Sequence, residues 1–307
     1  MPNSRVLGGL QADAFLGAMY EHSPFGKVWY VDITNGSDGN AGDAPDQAYA
    51  SVNSAISAAV ATRGDTVVIA PGTYTVTTAL NPKAMMTFRA AVVNPHFPTV
   101  TLQGNITNLV TLDVSGCRFI GIRFLSSGST LVNLVNISSV ANINGATFED
   151  CLFEGLPKST RHNVGIRANS ATLFPTGLVV RRCRFSRLGI TPLWVGVQSI
   201  PNAVIEDNAF VLWSESGCGI GFSNTTHSQR GNGYSIRNNE FLNSGDGVGV
   251  RFIGGTEGAH SAGIVRTNYF AYFATTTAVT QNSATRTFIN NYVGDTGTGG
   301  TIADVGN

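Results

Sequence analysis

Residues 205–210 read Ile-Glu-Asp-Asn-Ala-Phe, residues 236–241 read Ile-Arg-Asn-Asn-Glu-Phe, and residues 265–270 read Val-Arg-Thr-Asn-Tyr-Phe. Each holds an apolar residue, Asn three positions later and Phe two after that. Working outward, the same spacing holds at Val180/Cys183/Phe185, Phe148/Cys151/Phe153 and Phe119/Ile122/Phe124, and at Phe288/Asn291/Val293 on the other side. Successive last members lie 29, 32, 25, 31, 29 and 23 residues apart. A recurring unit of this size predicts stacked coils or blades, each contacting its neighbours, rather than one globular core.

Stacking places equivalent positions of adjacent coils above one another. The Phe positions 124, 153, 185, 210, 241 and 270 then form an internal aromatic column. Asn208, Asn239, Asn268 and Asn291 form a ladder of amides bonded above and below, with Asn also suited to a left-handed bend at a coil corner. The position after the first apolar residue runs Ile120, Glu149, Arg181, Glu206, Arg237, Arg266, Ile289, and its neighbour adds Asp150, Arg182 and Asp207. Opposite charges therefore meet across coils. Glu149/Asp150 and Glu206/Asp207 have the look of glycosidase carboxylate pairs, but the ladder gives them structural partners in Arg181, Arg182 and Arg237.

Upstream of the repeats, residues 28–33 read as a strand and residues 35–46 are dense in turn formers. Ser51 caps a predicted helix over 51–63 whose apolar positions are Val52, Ala55, Ile56, Ala59 and Val60. Residues 66–70 form a further strand, stopped by Pro71-Gly72. This segment resembles the N-terminal cap of right-handed parallel β-helix proteins of the pectate-lyase-like superfamily. The resemblance is carried by Tyr30-Val31-Asp32, Gly36-Ser37-Asp38-Gly39-Asn40-Ala41-Gly42, the helix and Gly64 through Tyr74, together with the later Ile/Val-x-x-Asn-x-Phe units. It implies an all-β, right-handed parallel β-helix of about eight coils and about 40 Å over residues 28–307. The amphipathic helix would cover the open end of the stack, and residues 1–27 would form a short arm.

Composition narrows the partners. The 307 residues carry 19 Lys+Arg and 19 Asp+Glu, a formal net charge of zero, which argues against a broad footprint for nucleic acid or anionic membrane. No apolar run reaches the length of a membrane span, and residues 1–26 lack the basic start and apolar stretch of a signal peptide. Charged residues make up only 12% of the chain, weak protection against self-association. The four cysteines, Cys117, Cys151, Cys183 and Cys218, read as small buried thiols. No CxxC pair is present and the five histidines are scattered, so no zinc site is expected. Asp32, Asp38 and Asp43 would suit calcium by type, but they sit in a turn-rich stretch and read as turn residues.

Two segments exceed the shortest coil. Residues 156–177 hold Lys158, Arg161, His162 and Arg167, and residues 213–233 hold Glu215, Cys218, Phe222, His227 and Arg230. Long loops on a rigid rod are common binding places. The superfamily's hydrolases use clustered aspartates with His-Gly and Arg-x-Lys motifs. This chain has no Asp-Asp pair and no His-Gly, and Asp246 lies in a Gly-rich turn. No catalytic, cofactor or metal residue is therefore assigned. The resemblance to phage β-helices implies a non-enzymatic virion protein, a trimeric capsid decoration or knob anchored to other virion proteins through residues 1–27. The alternative expectation is a tailspike-like or free protein that binds or degrades a polysaccharide.

Overall fold

The computed structural model describes residues 26–94, 96–128, 133–137, 143–155, 164–168, 176–188, 193–195, 202–211, 218–224, 234–242, 248–254, 263–271, 279–280 and 287–293. Three parallel sheets run through them. Sheet A has ten strands, from Val28–Val31 to Thr287–Ile289; sheet B has nine, from Gly72–Thr75 to Tyr292–Val293; sheet C has seven, from Asn108–Leu112 to Val279–Thr280. From Thr87–Ala90 onward the chain visits A, B and C in turn, and each strand pairs with its equivalent one coil away, as in Glu149↔Arg181↔Glu206↔Arg237↔Arg266. The architecture is a right-handed parallel β-helix. Ten strands at the usual spacing make sheet A about 43 Å long.

The corner between sheets A and B explains the repeat. From Thr147–Glu149 onward it is two residues long, Asp150-Cys151 being the first such pair. Its first residue has left-handed φ: Asp150 54°, Arg182 51°, Asp207 57°, Asn238 54°, Thr267 52° and Asn290 49°. The ladder asparagine is the residue after this one, so the bend falls one position earlier than the sequence reading placed it. The second residue turns inward, and Asn208, Asn239 and Asn268 are buried. Asn208 Nδ2 donates to Val180 O at 2.9 Å, and Asn239 Oδ1 accepts from both Asn208 N–H (3.1 Å) and Nδ2 (2.9 Å). Asn239 repeats this with Ile205 O and Asn268, and Asn268 with Ile236 O and Asn291. Each amide thus satisfies backbone groups that a sharp corner strips from the sheets.

Behind the corner the Phe column forms as expected. Phe124, Phe153, Phe185, Phe210, Phe241 and Phe270 stack with ring centroids 4.7–4.9 Å apart and planes within 8°. A second stack, Phe88–Phe119–Phe148, comes from the first apolar position of the repeat and meets the main column edge-on at 5.7 Å. Each such contact adds about 0.5–1.5 kcal/mol to simple burial. None of the four cysteines forms a disulfide, and all are buried.

At the N-terminal end the helix spans Val52–Ala58, with Ser51 as N-cap, and buries Val52, Ala55 and Ile56 against the first strands of sheet A. It stops short of the expected residue 63 because Ala59 turns to an extended conformation. Beneath it lies the buried Asp65 carboxylate. It accepts from Lys27 N–H (2.9 Å), Val60 N–H (2.9 Å), Trp29 Nε1 (3.1 Å) and the Arg63 guanidinium. Lys27 is thereby tied to the β-helix, while residues 1–25 of the expected arm lie outside the described residues.

Two outcomes follow from these contacts. Asn239→Ala leaves Asn208 N–H and Ile205 C=O buried and unpaired, at about 1–3 kcal/mol each. Urea unfolding should show a loss of about 3 kcal/mol, and a loss below about 1 kcal/mol would refute the ladder's role. Burial acts to raise the Asp65 pKa, but Arg63, Lys27, Val60 and Trp29 outweigh it and hold the carboxyl well below its ordinary range. Its stabilisation is therefore complete above the unfolded value, about 3.9, and is lost as pH falls below it. Asp65→Asn should lower the thermal midpoint at neutral pH and flatten the decline below about pH 4.

Candidate functional site

Coil length is absorbed unequally. Because the A–B corner is two residues from Thr147–Glu149 onward, variation goes into the B-to-C and C-to-A connections that border sheet C. The two long segments read as loops each contain a sheet C strand, Val164–Ala168 in one and Cys218–Asn224 in the other. Lys158, Arg161, His162, Glu215, His227, Arg230 and Asp246 lie outside the described residues. Arg167 does not: it is the fourth residue of its strand.

Along sheet C, Val110, Val135, Ile166, Leu193, Ile220 and Val250 are buried in register, and in the first three strands the next position is half-buried and forms an outward column. That column reads Thr111, Asn136, Arg167, with Trp194, Gly221, Arg251 and Thr280 at the following register positions. Thr111, Asn136 and Arg167 are half-buried, and Arg167 Nε is buried without a hydrogen-bond partner. The sequence reading placed Arg167 in a loop and passed over Thr111 and Asn136. Their signal was present: Asn108-Leu-Val-Thr-Leu112 and Asn133-Leu-Val-Asn-Ile137 share one polar position between apolar ones.

Three of the four tempting carboxylates are committed elsewhere. Asp207, for which the ladder predicted a partner, makes no ion pair among the described residues, because Arg182, one coil away, is drawn to Glu149 and Asp150 instead. Glu149 pairs with Arg181 (2.9 Å) and Arg182, and Asp150 with Arg182 Nε (2.8 Å). Glu206 accepts from Arg237 Nε at 2.7 Å. Sheet B adds a bridge that the sequence reading missed, with Glu154 between Arg123 (2.6 Å) and Arg187 (3.4 Å). Burial pushes the Glu149 pKa up, but Arg181 and Arg182 outweigh this and leave it lowered. A general acid at neutral pH needs the opposite shift. In the cap, Asp32 accepts from Thr34 N–H and Asn35, Asp38 from Ser51 N–H, and Asp43 meets Lys27. Among the described residues no cluster of three or more His, Cys, Asp or Glu could hold a metal ion, and no helix is long and apolar enough to cross a membrane.

No protein-family model matches the chain, and no curated protein matches it. Solved structures do. A pectin methylesterase from Aspergillus niger aligns over 89% of this chain and 88% of its own, at 14% identity and a TM-score of 0.51. A pectin methylesterase mutant in complex with a hexasaccharide aligns over 92% of each chain, at 10% identity and a TM-score of 0.57. A PL6 family alginate lyase aligns over 87% of this chain and 40% of its own, at 14% identity and a TM-score of 0.52. What they share with this chain is the fold. It is the right-handed parallel β-helix, the fold that the resemblance implied.

The ladder of charges is structural, and this has a measurable consequence. Glu206→Gln should cost about 1 kcal/mol or less in urea unfolding, because Arg237 is more than a third exposed. It should leave ligand binding at sheet C unchanged.

Proposed function

We propose that this chain binds an acidic polysaccharide along the outward face of sheet C. One observation carries the reading. Arg167 stands half-buried in the outward column, with an unpaired Nε, on the sheet that longer connections border on both sides. A guanidinium in that setting suits a carboxylate, and Asn136 and Thr111 on the same column suit sugar hydroxyls. A straight column repeating at about 4.8 Å favours an extended polymer over a compact ligand.

The names of the structurally similar proteins, pectin methylesterase and alginate lyase, support the same class of ligand. Of the two expectations read from the sequence, they favour the polysaccharide over the virion structural role. Trimeric assembly, and anchoring to other virion proteins through residues 1–27, are separate proposals that rest on the sequence resemblance. Binding, rather than cleavage, is the activity proposed, since the ion-paired carboxylates described above do not offer an acid–base pair.

Affinity electrophoresis in gels containing polygalacturonate, alginate or neutral amylose tests this. Wild-type protein should be retarded by at least one of the acidic polymers and not by amylose. Arg167→Ala should weaken that retardation by about tenfold, the scale of one charge-assisted contact, while its circular dichroism stays unchanged. Equal retardation of the two proteins, or none by either acidic polymer, would overturn the proposal.

A further inference from the structure

The alternation of charge on sheet A ends abruptly. Arg181, Glu206 and Arg237 alternate, but the next coil supplies Arg266 and the one after it Ile289. Arg237 is matched by Glu206. Arg266 is exposed and, among the described residues, makes no ion pair. It lies in a trough of about 470 Å³ along the A–B corner, lined also by the Glu206–Arg237 ion pair and by Asp207, Asn238, Thr267, Ile289 and Asn290. Asp207 is also exposed and, among the described residues, its carboxylate makes no ion pair. The trough therefore holds one spare cation and one spare anion two coils apart, about 9.6 Å along the rod.

The other groups are of a particular kind. Thr267 Oγ1 bonds Asn238 Oδ1, which leaves the Asn238 amide N–H groups free to donate. Asn290 adds a second exposed amide, and Ile289, 40% exposed, supplies an apolar surface. A ligand that fits has one carboxylate for Arg266, hydroxyl donors for Asp207, further hydroxyls for the amides and an apolar ring face for Ile289. An acidic peptide fits badly, because its additional carboxylates would meet Asp207.

We propose that this trough is a second carbohydrate site, distinct from sheet C, that takes a uronate-containing disaccharide through Arg266 and Asp207. The proposal rests on the polysaccharide reading for its ligand class, but it uses a different face. On a rod, two such faces would let one chain hold two segments of the same polymer and raise avidity without new contacts.

The experiment separates the two sites. Digalacturonate, dimannuronate and diguluronate are titrated calorimetrically into the Arg167→Ala protein, with cellobiose as the uncharged control. At least one uronate disaccharide should bind and cellobiose should bind far more weakly. Arg266→Gln in the same background should reduce affinity by about tenfold or more. Asp207→Asn should also weaken binding, whereas it should strengthen binding of tetraglutamate. Three results would overturn the proposal: no uronate binding, unchanged affinity in Arg266→Gln, or tetraglutamate binding as tightly as the disaccharides in an Arg266-dependent way. Failure of Arg167→Ala to affect the polymer would strike only the sheet C reading.

Discussion

The constraint on which the structure depends is the two-residue corner between sheets A and B. A left-handed, non-glycine residue costs about 1–2 kcal/mol, and this chain places six of them one above another, Thr267 with its branched Cβ among them. The cost is offset because five of the six donate their backbone N–H to the next coil, as Asp207 does to Arg237 O and Thr267 to Ile289 O. The residue after it sends an amide into the stack. Bend, amide ladder and Phe column are thus three consequences of one local geometry repeated in register. Altering any rung's length would misalign all three at once, so that edge of the rod tolerates no insertion.

Rigidity at one edge displaces variation to the others. Chain lengths between successive repeats differ by several residues, and that excess lies in the connections flanking sheet C. The same constraint separates two classes of charged residue. Glu149, Asp150 and Glu206 sit beside the corner, where register brings guanidinium groups to them. Arg167 sits on sheet C, where its register neighbours are Asn136 and Trp194. In a chain with so little charge, a half-buried arginine whose register neighbours carry no carboxylate has no evident structural purpose, whereas Arg181 and Arg182 plainly have one.

The sequence displayed the corner well and the site poorly, for a physical reason. Phe185, Phe210 and Asn208 answer to neighbours one coil away, so their identity recurs with the coil and can be read as a period. The opposite-charge pairs were legible on the same ground, since Glu149 and Arg181 occupy equivalent positions. The bend was misplaced by one residue because Asn238 and Asn239 adjoin, and either type suits left-handed φ; only the buried amide bonds distinguish them. Arg167 was taken for a loop residue because sheet C strands are short and lie between segments of irregular length. Ligand-facing residues have no partner in the next coil to keep them alike, so Thr111, Asn136 and Arg167 share a column without sharing a type.

The same logic gives unpaired charges their significance. Where Glu149 meets Arg181 and Arg182, the protein itself supplies the counter-charge, the carboxyl is held ionised, and a substrate would have to displace two guanidinium groups to use it. Where Arg266 meets Ile289 instead of a carboxylate, the described residues supply no counter-charge, and solvent or a ligand can do so. A solvated guanidinium is inexpensive, so exposure by itself implies nothing. What distinguishes this position is its surroundings: a concave surface, free amide donors, an opposite charge two coils away and an apolar side chain in reach. A carboxylate alone would answer to the arginine and leave Asp207 opposed. A molecule that carries both an anion and hydroxyl donors satisfies the whole trough, and that combination is the chemistry of an acidic sugar.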